Sequence, residues 1–272
     1  MKNNLSKRHL IVPFFQVDAF SDGPFTGNPA AVCILDEWLE DETLLAIAKE
    51  NNLSETAFVK KEDNGYSLRW FTPGIEVDLC GHATLAAASV IFEQYHFKGK
   101  VISFYTRSGE LTVEKHEEFY VMNFPAVIPR NISIPEGLIN AIGIQSDDVV
   151  EVLEASDIVV VLRDEQVLDT LNPDLATLKN FKTRGVVVTA RSKEYDFRSR
   201  WFGPQVGVDE DPVTGSAHTF LGPYWSVKLD SRDLVAAQGG QRKGYLHCVI
   251  KDDERIELSG KARLVVEGIF HV

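Results

Sequence analysis

The chain has 272 residues, 44 % of them apolar and 25 % charged, with a formal net charge of −12. That is ordinary globular composition, long enough to bury roughly 75 % of the unfolded surface, and its acidic balance argues against nucleic acid as a partner. Three cysteines without a CxxC pair, no apolar run near the roughly 18 residues of a membrane helix and no apolar leader in residues 1–9 lead to the expectation of a soluble cytoplasmic protein.

Residues 11–20 read as a strand, and the turn signals Ser21-Asp22-Gly23-Pro24 and Gly27-Asn28-Pro29 separate it from a second strand at 30–35. Asp41 is placed to cap a helix running to about Asn51, with Leu44, Leu45, Ile47 and Ala48 on its apolar side. A polar loop, Asn52-Leu53-Ser54-Glu55, then passes into a short strand, and residues 66–71 alternate with period two as far as Pro73. The helix starting at Gly81 is apolar on every side. Such a helix is buried all round, so the strands expected at 101–105, 111–114 and 119–123 must wrap it.

The Pro-spaced stretch 125–135 reads as a linker. It divides an N-terminal lobe, 1–124, from a C-terminal lobe, 130–261, with 262–272 placed to return to the first. In the second lobe the pattern predicts a helix over 135–142, a strand at 158–162 and helical segments over 164–180 broken at Asn172-Pro173. Strands at 185–190 and 196–202 precede a second central helix from Gly215, which Gly222-Pro223 should kink or break. Strands at 234–237, 245–250, 255–258 and 262–270 close the chain.

The two lobes echo one another. Arg69, Trp70, Phe71, Pro73, Val77 and Asp78 recur as Arg200, Trp201, Phe202, Pro204, Val208 and Asp209, all at an offset of 131, which implies an internal duplication. Duplicated lobes face each other, so the two glycine-led helix starts should meet. There the open amides at Gly81 and Gly215, with the helix dipoles, favour an anion such as a substrate carboxylate.

The ionisable residues beside those starts are Cys80 and His82 in one half and Asp211 with Ser216 in the other. No GxSxG elbow, no GxGxxG loop and no cluster of histidines with metal-ligand spacing accompanies them, so hydrolase, dinucleotide and zinc chemistry are not expected. Acid–base work remains, because the dipole at a helix start disfavours the cation of His82. Glu55 is a further carboxylate, which alone would read as a solvated loop residue.

Phe15-Gln16-Val17-Asp18-Ala19-Phe20, Gly27-Asn28-Pro29-Ala30, Asn52-Leu53-Ser54-Glu55-Thr56, Cys80-Gly81-His82-Ala83-Thr84 and Asp211-Pro212-Val213-Thr214-Gly215-Ser216-Ala217 together resemble the PhzF-like isomerases of phenazine biosynthesis. The resemblance implies an α+β fold of the diaminopimelate epimerase type, two lobes in which strands wrap a central helix. It also implies proton transfer at carbon without cofactor or metal, in a homodimer acting on a small carboxylate. By it, Glu55 is the main acid and base, with His82 and Asp211 assisting. Ser216 and the amides of Gly81 and Gly215 hold the substrate's carboxylate, and Cys80 lines the same site. Racemases of this fold use one cysteine from each half. At the offset of 131 the counterpart of Cys80 is Asp211, so a two-thiol mechanism is not expected, while a mixed Cys80/Asp211 pair stays open.

Overall fold

The computed structural model describes residues 10–272, and the expectation about the first nine lies outside them. The first half contains β1 (Ile11–Ala19), β2 (Asn28–Leu35), α1 (Asp41–Asn51), β3 (Glu55–Glu62), β4 (Gly65–Phe71), β5 (Glu76–Val77), α2 (Gly81–Glu93), β6 (Val101–Thr106), β7 (Gly109–His116) and β8 (Phe119–Pro125). Strands β1, β2, β3, β4, β6, β7 and β8 lie side by side in that order. Their successive pairings are antiparallel, parallel, antiparallel, parallel, antiparallel and antiparallel.

The second half contains β9 (Arg130–Asn131), α3 (Leu138–Ile142), β10 (Val149–Glu154), β11 (Ile158–Leu162), α4 (Gln166–Thr170), α5 (Leu175–Leu178), β12 (Val186–Arg191), β13 (Phe197–Gly203) and β14 (Val208–Asp211). It continues through α6 (Gly215–Leu229), β15 (Asp233–Gln238), β16 (Gly244–Ile250) and β17 (Arg255–Gly260), and β18 (Ala262–His271) ends the chain. Strands β10, β11, β12, β13, β15, β16 and β17 repeat the same succession of pairings. The duplication is therefore one of topology as well as of sequence. Strand β8 pairs with β17, and β18 returns to pair with β1, so the two sheets are continuous.

Every residue of α2 from His82 to Phe92 is buried, and the helix packs on β1, β2, β3, β8 and β18, while α6 packs on β15, β16 and β17. One apolar core runs through both helices. Outside the first sheet, Leu44, Ile47 and Ala48 of α1 cover Cys33, Phe58 and Phe71. Outside the second, Leu138, Leu168 and Leu178 cover Val160 and Val188. With both faces covered, β2, the Thr56–Val59 part of β3 and the parallel pair β11/β12 are largely buried, which is why β11 reads as an unbroken apolar run.

Three expectations are corrected. Asp41 is the first residue of α1 and Glu40 holds the cap position; the Asp41 carboxylate instead accepts Arg69 Nη2 at 2.8 Å. Of the kink or break expected at Gly222-Pro223, the break does not occur, and α6 runs through both residues. Proline there removes the donor for the carbonyl of Thr219 four residues earlier, and the amide of Val127 supplies it at 2.9 Å. The segment after β8 is thus tied to the second central helix, and Gly222 packs closely on β17, where a Cβ would lie 2.5 Å from Ile256 Cδ1.

The third correction concerns the repeat. Trp70 faces Val77 across the first turn, but Trp201 faces Asp211 across the second, which is three residues longer. Beyond the turns the true offset is 134. Glu76 and Glu210 then become equivalent, each gripping an arginine fork (Arg69 at 2.7 and 2.7 Å, Arg200 at 2.7 and 2.8 Å). The counterpart of Asp211 is Val77 and that of Cys80 is Thr214, each of the latter two standing at a helix N-cap. Cys80 and Asp211 are not symmetry mates.

Candidate active site

The site forms where the two central helices point their N-termini at one another. A Cβ on Gly215 would stand 4.0 Å from Gly81 Cα. Neither Cys80 nor Thr214 makes a side-chain cap, so the first amides of both helices stay open. Thr214 is unavailable for a stated reason: its hydroxyl donates to Asp211 Oδ2 at 2.6 Å and accepts Gln238 Nε2 at 2.9 Å.

Around this junction the chain ends of several elements bring their side chains together. Glu55 opens β3 and His82 lies in the first turn of α2, with Glu55 Oε2 and His82 Nε2 3.3 Å apart. Cys80 Sγ lies 3.5 Å from His82 Nδ1. Asn28, the first residue of β2, gives its Nδ2 hydrogens to Asp211 Oδ1 at 2.7 Å and the Val213 carbonyl at 3.0 Å, and passes His82 Nδ1 at 3.5 Å. The fold therefore unites Glu55, Cys80, Gly81, His82, Asp211 and Gly215 from segments up to 160 positions apart in the chain, counting from Glu55 to Gly215. Ser216 lies one residue beyond, bonded to Arg184.

Burial decides the charge states. It pushes Glu55 up from 4.5 to about 8, with help from the negative Asp211 and against a hydrogen bond from Cys80. Burial also lowers His82 from 6.5 to about 4 and raises the Cys80 thiol, to which the Glu55 charge adds. Asp211 is raised by burial to about 6, opposed by its bonds from Thr214 and Asn28 and by the charge of Arg184. Near pH 7 the Glu55–His82 contact thus joins a protonated acid to a neutral imidazole. Its spacing is that of an ion pair, yet Oε2 and Nε2 both lack an aligned hydrogen bond, and the burial argument favours the neutral contact.

Donor atoms of Glu55, Cys80 and His82 all lie within 4.8 Å of one another. The sequence separates Glu55 from the other two, so this trio is not legible from spacing; as a donor set it could supply three ligands to a metal ion. Cavities of about 550 Å³ beside Ile47 and His271 and about 360 Å³ beside Val161 and Trp225 contain none of the site residues. The site is identified by its chemistry rather than by an open cavity.

Asn28, Thr214, Gln238 and Arg184 are the residues that sequence reasoning did not single out. Asn28 carries a signal in hindsight, an amide wedged between Gly27 and Pro29 at a strand start that is completely buried. Arg184 has none, because its partners lie 27 and 32 residues away.

A duplicated α+β scaffold with acid–base groups at the meeting point of two helix N-termini defines an isomerase of the diaminopimelate epimerase-like fold. The sequence matches the PhzC-PhzF family of phenazine biosynthesis-like proteins over residues 17–268, and the chain belongs to that family. It is 56 % identical over 258 residues to a protein of Pseudomonas aeruginosa described as an uncharacterized isomerase, covering 95 % of this chain and 98 % of the relative. A PhzF-family crystal structure from Enterococcus faecalis is similar with TM-score 0.93 and 42 % identity, covering 97 % of this chain and 100 % of that one. A hydroxyproline epimerase from Agrobacterium vitis shares the fold alone, with TM-score 0.59 and 7 % identity over 96 % and 93 % of the two chains. Among the described residues no helix is long and apolar enough to cross a membrane.

Proposed function

We propose that this isomerase moves a proton, and with it a double bond, within a small carboxylated metabolite, without a cofactor or metal. The observation that carries the reading is Glu55, a buried carboxyl raised to about 8 and left with an unpaired oxygen beside His82. A base of that strength is better matched to carbon acids than an ordinary glutamate, and its protonated form is a competent acid at neutral pH. In the reaction, ionised Glu55 takes the proton from an sp³ carbon, the C–H electron pair becomes a new C=C bond, and the displaced π pair accepts the proton from Glu55 at another carbon. His82, its Nε2 3.3 Å from Oε2, backs the carboxyl, and Asp211 anchors Asn28 while its charge keeps Glu55 basic. The open amides at Gly81 and Gly215, with the Ser216 hydroxyl, receive the carboxylate. We expect a cytoplasmic homodimer divided into lobes near residues 124–130.

The epimerase alternative requires a second base. Thr214, the counterpart of Cys80, has a hydroxyl already committed to Asp211 and Gln238, which weighs against a paired-thiol mechanism. The test is turnover of a substrate such as dihydrohydroxyanthranilate by Glu55→Gln, Asp211→Asn and Cys80→Ala. Isomerisation predicts a changed absorption spectrum and loss of activity in the first two. Activity that survives Glu55→Gln and disappears in Cys80→Ala would replace it with the epimerase reading, and binding indifferent to Glu55→Gln without turnover would indicate a binding protein.

A further inference from the structure

Ser216 is oriented by a chain of contacts that begins far from the reacting groups. Asp157 is completely buried and receives three donors: Arg184 Nε at 2.8 Å, Arg184 Nη2 at 2.6 Å and Trp201 Nε1 at 2.9 Å. Trp201 is wedged by glycines, since a Cβ on Gly185 would lie 2.5 Å from its ring and one on Gly203 would lie closer still. The Arg184 guanidinium also covers the indole at 5.6 Å. Clamped in this way, it has one nitrogen left, Nη1, which donates to Ser216 Oγ at 2.8 Å.

A hydroxyl that accepts from a guanidinium must send its own hydrogen elsewhere. Ser216 Oγ donates to no other described residue, and it stands in the first turn of α6 beside the open Gly215 amide. The buried Nε2 of His82, without an aligned partner, marks the same junction as a place for a ligand. The Asp157–Arg184 pair is neutral overall, so its influence on a bound anion is chiefly directional rather than a matter of net charge.

We propose that Arg184 is a positioning residue that, held by Asp157, turns the Ser216 hydroxyl into a fixed donor and so makes the site select a carboxylate over the corresponding amide. The inference rests on the substrate-carboxylate part of the functional reading, but binding tests it without turnover. The probes are anthranilate and 2-aminobenzamide, an amino acid and its amide of matched shape, titrated calorimetrically into the full-length protein. The unaltered protein should prefer the acid. Arg184→Met and Ser216→Ala should each weaken anthranilate roughly ten- to hundredfold and leave the amide nearly unchanged. Because both act through one hydroxyl, the double variant should lose no more than the worse single. Arg184→Lys restores charge without the fork and should recover only part of the preference. Melting temperatures within a few degrees of the parent identify variants that remain folded, and Ser216→Ala supplies the test if Arg184→Met does not. Equal affinity of the unaltered protein for acid and amide, no binding of either, or additive losses in the double variant would overturn the proposal. Absence of proton exchange on any substrate, with the acid preference intact, would instead count against the catalytic reading alone.

Discussion

Glu55 Oε2 and His82 Nε2 stand 3.3 Å apart, and burial makes both side chains neutral near pH 7. A carboxylic acid and an imidazole in contact usually form an ion pair. Here the low dielectric of the junction raises the acid and lowers the base until neither is charged. The contact therefore sets a protonated carboxyl against a neutral ring.

The first consequence is a pH dependence of proton abstraction. Glu55 must lose its own proton before it can take one from carbon, so kcat/KM should climb from pH 6.5, pass its midpoint near 8 and level off only about one pH unit higher. In Asp211→Asn the neighbouring negative charge is gone, and the midpoint should move to lower pH. A midpoint that stays put in that variant would remove Asp211 from the tuning of Glu55.

Stability should respond in the opposite sense. Glu55 is raised in the folded state, so its contribution is fully present below about pH 4.5 and is lost as pH rises through about 8. Glu55→Gln should therefore gain thermal stability relative to the parent as pH goes from 5 to 9, by on the order of 3 kcal/mol. His82 is lowered, so its contribution is present above about 6.5 and is lost as pH falls through about 4; His82→Asn should gain on the parent toward pH 4. Melting curves across pH 4–9 check both slopes.

Asn28 should matter more than its neutral side chain suggests. Its amide ties Asp211 to the Val213 carbonyl across the two halves, and truncation leaves a buried carboxylate short of a donor. Asn28→Ala should cost about 1–3 kcal/mol in chemical denaturation and raise the Asp211 pKa further. Asn28→Asp should be worse, since it places a second carboxyl directly against Asp211.

Turnover should survive dialysis against EDTA. Added Zn²⁺ should inhibit it, because Glu55, Cys80 and His82 offer three donors within 4.8 Å. Cys80→Ala should relieve that inhibition. Loss of activity on chelation, restored by a metal, would contradict the metal-free mechanism.

Most of the scaffold was legible because its signals are local. The all-apolar helix at Gly81, the uninterrupted runs of β11 and β12 and the period-two strand ending at Phe71 each declare their surroundings within ten or so residues. Short pieces such as β5, β9 and β14 escaped, having too few residues to show a period, and β10 alternates only weakly between two turns. Of the site, the helix starts and their flanking His82, Asp211 and Ser216 could be found by duplication, but a three-residue difference in turn length hid which residues correspond. The Asp157–Arg184–Ser216 contacts left no trace, because β11 and β12 bring Asp157 and Arg184 together only through pairing of strands separated by two helices.

The measurement that bears most directly on Glu55 as carbon acid and base is deuterium uptake. The protein is incubated in D₂O with small amino and hydroxy acids, dihydrohydroxyanthranilate among them, and each compound is followed by mass spectrometry. A one-unit mass gain with the parent protein, absent with Glu55→Gln, is the predicted result. A gain that persists undiminished in Glu55→Gln would contradict the account, since some other group would then be moving the proton.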